Sequence, residues 1–368
     1  MSILLSTEDG WILSHLQYLN EIYKNVINID KACNLKFDER FFAINSQFLR
    51  NNQVAKSENG ALRGRVKKRK KLVNSSEDLD QVNFVRDAFM RMRCLVAAQN
   101  VFNPGDTYDN NQVARTVSDN FYSGSALLQL GNFHGANDNE NPIVVQTGNQ
   151  KFVFPKRSFF YAYDVKDIFE KLGCEQQYDF ILMDPPWWNK FVRRKKEKFV
   201  ESSYSMMYNE ELEKMPIENL LGKNGIVAVW CTNAPSHLNS ILNEMFPAWG
   251  IVYVGKWYWV KVTQSGNTVC EFNFTNEKQP YEILIFGRKI LGNETKIPDK
   301  KLIVSVPSCV HSHKPPINEI MRPYLVANPK CLEIFARYLL PNWTSWGLEV
   351  LKFQHLSLYE IVEPNGVD

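Results

Sequence analysis

The sequence predicts an α/β protein whose carboxyl-terminal part is a doubly wound sheet, and three observations carry that expectation. Beyond residue 142, runs that are continuously apolar over four to six residues recur: "YDFILMD", "NGIVAVWCTN", "WGIVYVGKWYWVK", "YEILIFGRK", "KLIVSVP" and "KCLEIFAR". Strands of that kind are covered on both faces. Helical stretches alternate with them, "NEELEKMPIENLL", "APSHLNSILNEMF" and "PPINEIMRPYLV", which is the pattern of helices packed on a parallel sheet. At 368 residues with 44% apolar side chains, the chain is long enough for such a sheet and a further region.

Taken in order, residues 11–30 place Leu16, Leu19, Tyr23 and Val26 at helical spacing, with Ile12 and Ile22 widening the stripe. Residues 51–80 are polar and basic. Ser and Asp start signals then precede a second helical stripe with Val85, Phe89 and Leu95. "PGDTYDNNQ" and "GNFHGANDNENP" are turn-rich breaks. The second sets the expected boundary between a mainly helical, substrate-binding accessory region at 1–142 and a catalytic region at 143–368. After it come "PIVVQ", "KFVFP" and "SFFYAYD", three short β-rich runs.

Net charge is only +3, yet two basic runs concentrate it, "RGRVKKRKK" at 63–71 and "RRKKEK" at 193–198. Clustered cations attract phosphate better than dispersed ones. The first run also has the form of a nuclear-import address, so a nuclear protein is expected, with a cytoplasmic pool beside it. Seven scattered cysteines form no close pair, which fits a reducing compartment. The amino terminus lacks the features of a secretory signal, and no stretch reaches the roughly 20 apolar residues that cross a bilayer. His237, His311 and His313 lack the cysteine or carboxylate company of a metal site, so no metal is expected. The aromatic run around Trp257 and Trp259 reads as buried sheet.

"DPPWWNK", residues 184–190, ends the run "YDFILM". In an open α/β sheet the ligand crevice lies outside the carboxyl ends of the strands, where Asp184 should stand. Pro185 and Pro186 have a fixed φ and no amide hydrogen, so their carbonyls can be held rigid beside the carboxylate. Two adjacent acceptors suit a planar exocyclic amine, which donates two hydrogens, and Trp187 offers a surface for stacking a base. The alternative is a proline-rich turn after a strand.

Asp184 to Trp187 reproduce the DPPW signature, and the chain resembles the MT-A70 family of adenine N6-methyltransferases. "HSHKPP", "CLEIFAR" and "PNWTSWGLEVLKFQH" are similar to blocks of its methyltransferase-like protein 4 branch. The resemblance runs over roughly residues 145–358. It implies a Rossmann-like sheet with permuted motif order and S-adenosyl-L-methionine as methyl donor. It also implies donor contacts at Asp164, Val165, Asp184, Lys314, Glu333, Arg337, Trp343 and Gly347, and Tyr204 beside the target base. Asn189, Lys190, Arg193, Arg194, Lys195, Lys196 and Asn233 complete the expected substrate side.

Bland alternatives stand beside these roles: a helix cap for Asp164, a solvated cation for Lys314 and a structural pair for Glu333 with Arg337. Where the branch has Asn, this chain has Tyr338 and Leu348, which puts donor affinity in question, and Trp188 stands where a Glu is usual. The resemblance favours RNA, an internal 2′-O-methylated adenosine of U2 small nuclear RNA. Single-stranded DNA adenine is the runner-up and a silent nucleic-acid-binding partner the third reading. No membrane and no obligate protein partner is expected.

Overall fold

The structure is a computed structural model that describes residues 2–28, 31–48, 76–97, 101–102, 111–125, 132–173, 176–188, 206–274, 278–289 and 296–363. Its strands, in chain order, are β1 (Ile3–Ser6), β2 (Gly10–Leu13), β3 (Val26–Asn28), β4 (Lys31–Phe37), β5 (Phe133–Asn137), β6 (Ile143–Thr147), β7 (Gln150–Phe154) and β8 (Ser158–Ala162). They continue with β9 (Tyr178–Met183), β10 (Leu221–Cys231), β11 (Ile251–Lys261), β12 (Tyr281–Lys289), β13 (Lys301–Ser305), β14 (Cys331–Ile334), β15 (Trp343–Trp346) and β16 (Tyr359–Val362).

Eleven strands form one mixed sheet in the order β1-β2-β13-β11-β12-β10-β9-β14-β15-β8-β5. The run β10-β9-β14-β15-β8 is parallel throughout. β12 is antiparallel to both β10 and β11, so β11 points the same way as the parallel run. The chain therefore leaves β8, β9, β10, β11, β14 and β15 at one common edge.

Side chains alternate across this sheet as continuous apolar runs require. Val227, Val229 and Cys231 of β10 enter one core, while Ile226, Ala228 and Trp230 enter the other. The first core is covered by α2 (Ser76–Ala97), by short helices at Ile168–Leu172 and Ile217–Leu220, and by the helical stretch that starts at Pro235–Ser240. α1 (His15–Ile22) and α3 (Gln112–Ser125) cover the second. Buried Trp257 and Trp259 lie on β11, as the aromatic run predicts.

The amino-terminal expectation needs correcting. The described part of residues 1–142 is not a separate helical unit: β1, β2 and β5 belong to the main sheet, and β3 and β4 pair with β6 and β16 in a second, five-stranded sheet. The cause lies in short apolar runs, "ILLS" and "GWIL", that find partners only at the edge of a sheet made by later sequence. The helix expected over 11–30 shrinks to α1, capped by Ser14 through its bond from the Gln17 amide, because β2 and β3 take up its flanks. α2 occupies its expected place with Val85 and Phe89 buried, but Leu95 is exposed on its outer face. Among the described residues no helix is long and apolar enough to cross a membrane.

Candidate active site

β9 is buried over nearly its whole length and delivers Asp184 to the common edge. There the residue is 7% exposed, so its charge needs local partners. Oδ2 accepts a hydrogen bond from Arg337 Nη1 at 2.8 Å, and Lys314 Nζ lies 3.4 Å from Oδ1. Arg337 gets there because Phe335 turns the chain directly after β14 with a φ of 66°, a left-handed conformation that a bulky residue holds only when its surroundings enforce it.

The partners extend on both sides. Arg337 Nε lies 3.4 Å from Glu349 Oε2, and Glu349 Oε1 takes Lys352 at 2.9 Å. On the other side Lys314 bonds to Glu282, which also takes Lys261. Lys352, Glu349, Arg337, Asp184, Lys314, Glu282 and Lys261 thus alternate in sign along one line with Asp184 at its centre. Burial alone would raise the Glu282 carboxyl, but Lys261 and Lys314 reverse this and hold it well below the usual range. Burial likewise opposes the Lys314 ammonium, and Asp184 and Glu282 outweigh it, holding the group above the ordinary lysine value. Lys261 is drawn down by burial despite Glu282.

Glu333 is the contrasting group. It sits on β14 beside Leu182 of β9, and among the described residues its Oε2 has no hydrogen-bond partner. Burial pushes its carboxyl up to about 8, with the Asp184 charge adding and Arg337 opposing. The strand and turn around "CLEIFAR" exclude the helical pair; Arg337 makes its ion pairs with Asp184 and Glu349.

A cavity of about 230 Å³ opens at the ends of β8, β14 and β15, lined by Asp164, Val165, Gly347, Leu348, Phe335 and Trp346 among others. Asp164 both lines it and caps the following turn through the Lys166 amide at 3.0 Å. Trp343 is a correction. It stands at the start of β15 and packs edge-on against Phe180, so strand direction puts Trp346, three residues on, at the cavity. Tyr338 does not face this space. It is buried, and its hydroxyl donates to the Lys314 carbonyl at 3.2 Å. Leu348 does line it, 41% exposed, without a polar atom to offer.

The rest of the signature also departs from expectation. Pro185 O accepts the Trp187 amide at 2.8 Å and Pro186 O accepts that of Met207 at 3.1 Å, which takes one of the two lone pairs on each oxygen. Trp187 is buried rather than presented. Its Nε1 donates to the Trp230 carbonyl at 2.9 Å, and its ring meets His237 at 4.8 Å between centroids. An indole with a polar handle is held inward when a buried carbonyl can accept from it. Asn233, exposed beyond β10, donates to the Tyr281 carbonyl at 2.6 Å. Asn189, Lys190, Arg193, Arg194, Lys195, Lys196 and Tyr204 lie outside the described residues, as does the basic run at 63–71.

Sequence reasoning missed Glu282, Lys261 and Glu349. A charged residue at the mouth of an otherwise apolar strand, as in "YEILIFGRK", was the available signal. His311 and His313 approach no metal set: His313 stacks on Phe353 at 3.8 Å, and among the described residues no group of three or more His, Cys, Asp or Glu could hold a metal ion.

Residues 178–349 match the MT-A70 family. A mouse protein named N(6)-adenine-specific methyltransferase METTL4 is 39% identical over 224 residues, 58% of this chain and 46% of its own length. A Cryphonectria parasitica protein named N6-methyladenosine RNA methyltransferase MTA1 is 35% identical over 217 residues, 58% of this chain and 64% of that one. A Caenorhabditis elegans protein named DNA N6-methyl methyltransferase is 26% identical over 373 residues, 94% of this chain and 96% of that one. The chain thus spans about half the length of the mouse relative it matches.

Proposed function

We propose, from the premise that this chain belongs to the MT-A70 family, that it transfers a methyl group from S-adenosyl-L-methionine to N6 of adenine in a nucleic acid. The observation that carries the reading is Asp184, a buried carboxylate at the edge of the parallel strands, held between Arg337 and Lys314 within the matched residues. The sheet is read as the permuted Rossmann-like arrangement of the family.

The residues present fit such a donor. A cavity opens where β8, β14 and β15 end; outside its lining stand a buried cation at Lys314 and Glu333 Oε2, an acceptor without a partner among the described residues. Asp164, Val165 and Gly347 would line its place, Lys314 would meet its carboxylate, and Glu333 keeps an acceptor for a ribose hydroxyl. When bound, the donor supplies an electrophilic methyl group on a sulfonium. Asp184 would accept a hydrogen bond from the adenine amine and orient its lone pair, stabilise the positive charge that develops on that nitrogen as the N–C bond forms and the S–C bond breaks, and take the proton that the methylated amine then loses. Arg337 fixes the orientation of that carboxylate through Oδ2, leaving Oδ1 for the amine once Lys314 turns away. The dry surroundings strengthen each of these interactions.

The substrate we infer is RNA, specifically an internal 2′-O-methylated adenosine of U2 small nuclear RNA. The product would be N6,2′-O-dimethyladenosine. Arg193 to Lys196, directly after the signature in sequence, would follow the phosphates, and an adenine must leave its stack to reach Asp184. The nuclear-import form of residues 63–71 supports a nuclear setting, and the chain is read as acting without an obligate protein partner. DNA adenine is the second reading, favoured by the name of the worm relative, which aligns over nearly the whole chain. Labelled donor with sequence-matched RNA, 2′-O-methylated RNA and single-stranded DNA decides between them. We expect N6-methyladenine chiefly in the 2′-O-methylated RNA; preference for DNA selects the second reading, and no product in any of the three overturns both.

A further inference from the structure

Lys314 lies between two carboxylates, of which the chemistry above needs only Asp184. The other, Glu282, opens β12 and gives one oxygen to each of two lysines, Oε1 to Lys261 at the end of β11 and Oε2 to Lys314. Two tryptophans form the floor beneath them. Lys261 Nζ stands 4.5 Å from the Trp259 ring centroid, and Lys314 Nζ stands 5.9 Å from that ring and 5.4 Å from Trp230. Trp259 is itself fixed by its Nε1 bond to Ser305 Oγ at 2.8 Å. Lys314 is thus bonded to Glu282 and stands off from Asp184 at 3.4 Å.

We infer that Glu282, steadied by Lys261, is a positioning residue that draws the Lys314 ammonium away from Asp184, leaving the ammonium open to the carboxylate of an amino-acid-bearing donor and Asp184 open to the amine. The inference rests on the reading of S-adenosyl-L-methionine as donor. An ammonium has three N–H groups, so Lys314 can keep Glu282 while serving a second carboxylate. In the structure that second carboxylate is Asp184, which stands where the donor's own carboxylate would compete. Without the Glu282 charge, Lys314 closes onto Asp184. Both the anchor for the donor and the acceptor for the amine are then occupied by each other. Lys261 matters because its charge keeps Glu282 an anion in a buried place.

The test is equilibrium binding of two nucleosides to the full chain. S-adenosylhomocysteine carries the amino-acid end, and 5′-methylthioadenosine lacks it. For Glu282→Gln the account expects S-adenosylhomocysteine to weaken about tenfold or more, the size of one charge-assisted hydrogen bond. 5′-Methylthioadenosine should stay within about twofold, since it makes no demand on Lys314. Glu282→Asp should recover part of the loss. Equal weakening of both nucleosides, or of neither, overturns the inference. Should Glu282→Gln fold poorly, Glu282→Gln combined with Lys261→Met removes one charge of each sign, and the same selective loss is expected. A double variant with the parent's ratio of the two affinities overturns it as well. A parent protein that binds neither nucleoside removes the donor reading itself; a parent that prefers S-adenosylhomocysteine, with variants that keep the preference, removes only the role of Glu282.

Discussion

Glu282 and Glu333 are both largely withdrawn from water at the same edge of one sheet, and burial pushes both towards the neutral acid. Glu282 ends far below the usual carboxylate range and Glu333 near 8. The difference is the pair of ammonium groups that Glu282 touches and the lack, among the described residues, of a partner for Glu333 Oε2. Asp184 lies between the two in space, with Arg337 and Lys314 against it. What separates a carboxylate that accepts protons from one that holds its own is the company of cations rather than depth.

Removing that company should give the largest effect. Arg337→Gln takes away the charge that Asp184 and Glu349 share and should cost about 3–5 kcal/mol of stability at neutral pH, as breaking one side of a buried pair does. Urea unfolding checks it; a loss below about 1 kcal/mol would mean the line of charges is solvated.

Next comes the pH dependence, which the two glutamates should drive in opposite directions. The folded Glu333 keeps its proton up to about 8 while the unfolded chain has lost it, so its contribution to stability is greatest in acid and declines as pH rises towards 8. The slope approaches about 1.4 kcal/mol per pH unit in that window. Glu333→Gln should flatten the decline in Tm between pH 5 and 8. Glu282 has the opposite sign: its contribution is present above the unfolded carboxylate range and lost as pH falls. An unchanged slope in Glu333→Gln would contradict the contrast.

Trp187 and Leu348 repeat the comparison on a smaller scale, a satisfied polar group and a position that offers none. Trp187→Phe leaves the buried Trp230 carbonyl without its donor and should destabilise the fold by about 1–3 kcal/mol. It should do so with little change in KM for the nucleic acid, whereas a base platform would show chiefly in KM. Leu348→Asn adds a polar group to the cavity wall and should tighten S-adenosylhomocysteine by about tenfold at most, as read by calorimetry.

Asp184 was legible because an apolar run followed by Asp-Pro-Pro-Trp says where a strand stops and what stands there. The alternation of apolar runs and helical stretches likewise announced the sheet, and Asp164, Val165 and Gly347 reach its cavity. Glu282 was not legible: its partners lie 21 and 32 residues away, and only the antiparallel pairing of β11 with β12 brings Lys261 beside it. Trp343 and Trp346 are alike in composition, and which one meets the cavity depends on the direction of β15. The amino-terminal strands escaped notice because edge strands of four residues carry too little periodicity to stand out from a loop. Trp187 was misread for a related reason, since no local pattern shows that the Trp230 carbonyl, 43 residues on, is waiting for its indole N–H.

The most direct measurement of the central claim is single-turnover methyl transfer from labelled donor to an adenine-containing oligonucleotide by the parent and by Asp184→Asn, with the fold of each checked by circular dichroism. The parent should yield N6-methyladenine, and a folded Asp184→Asn should react at least about a hundredfold more slowly. Equal rates from the two proteins would contradict it.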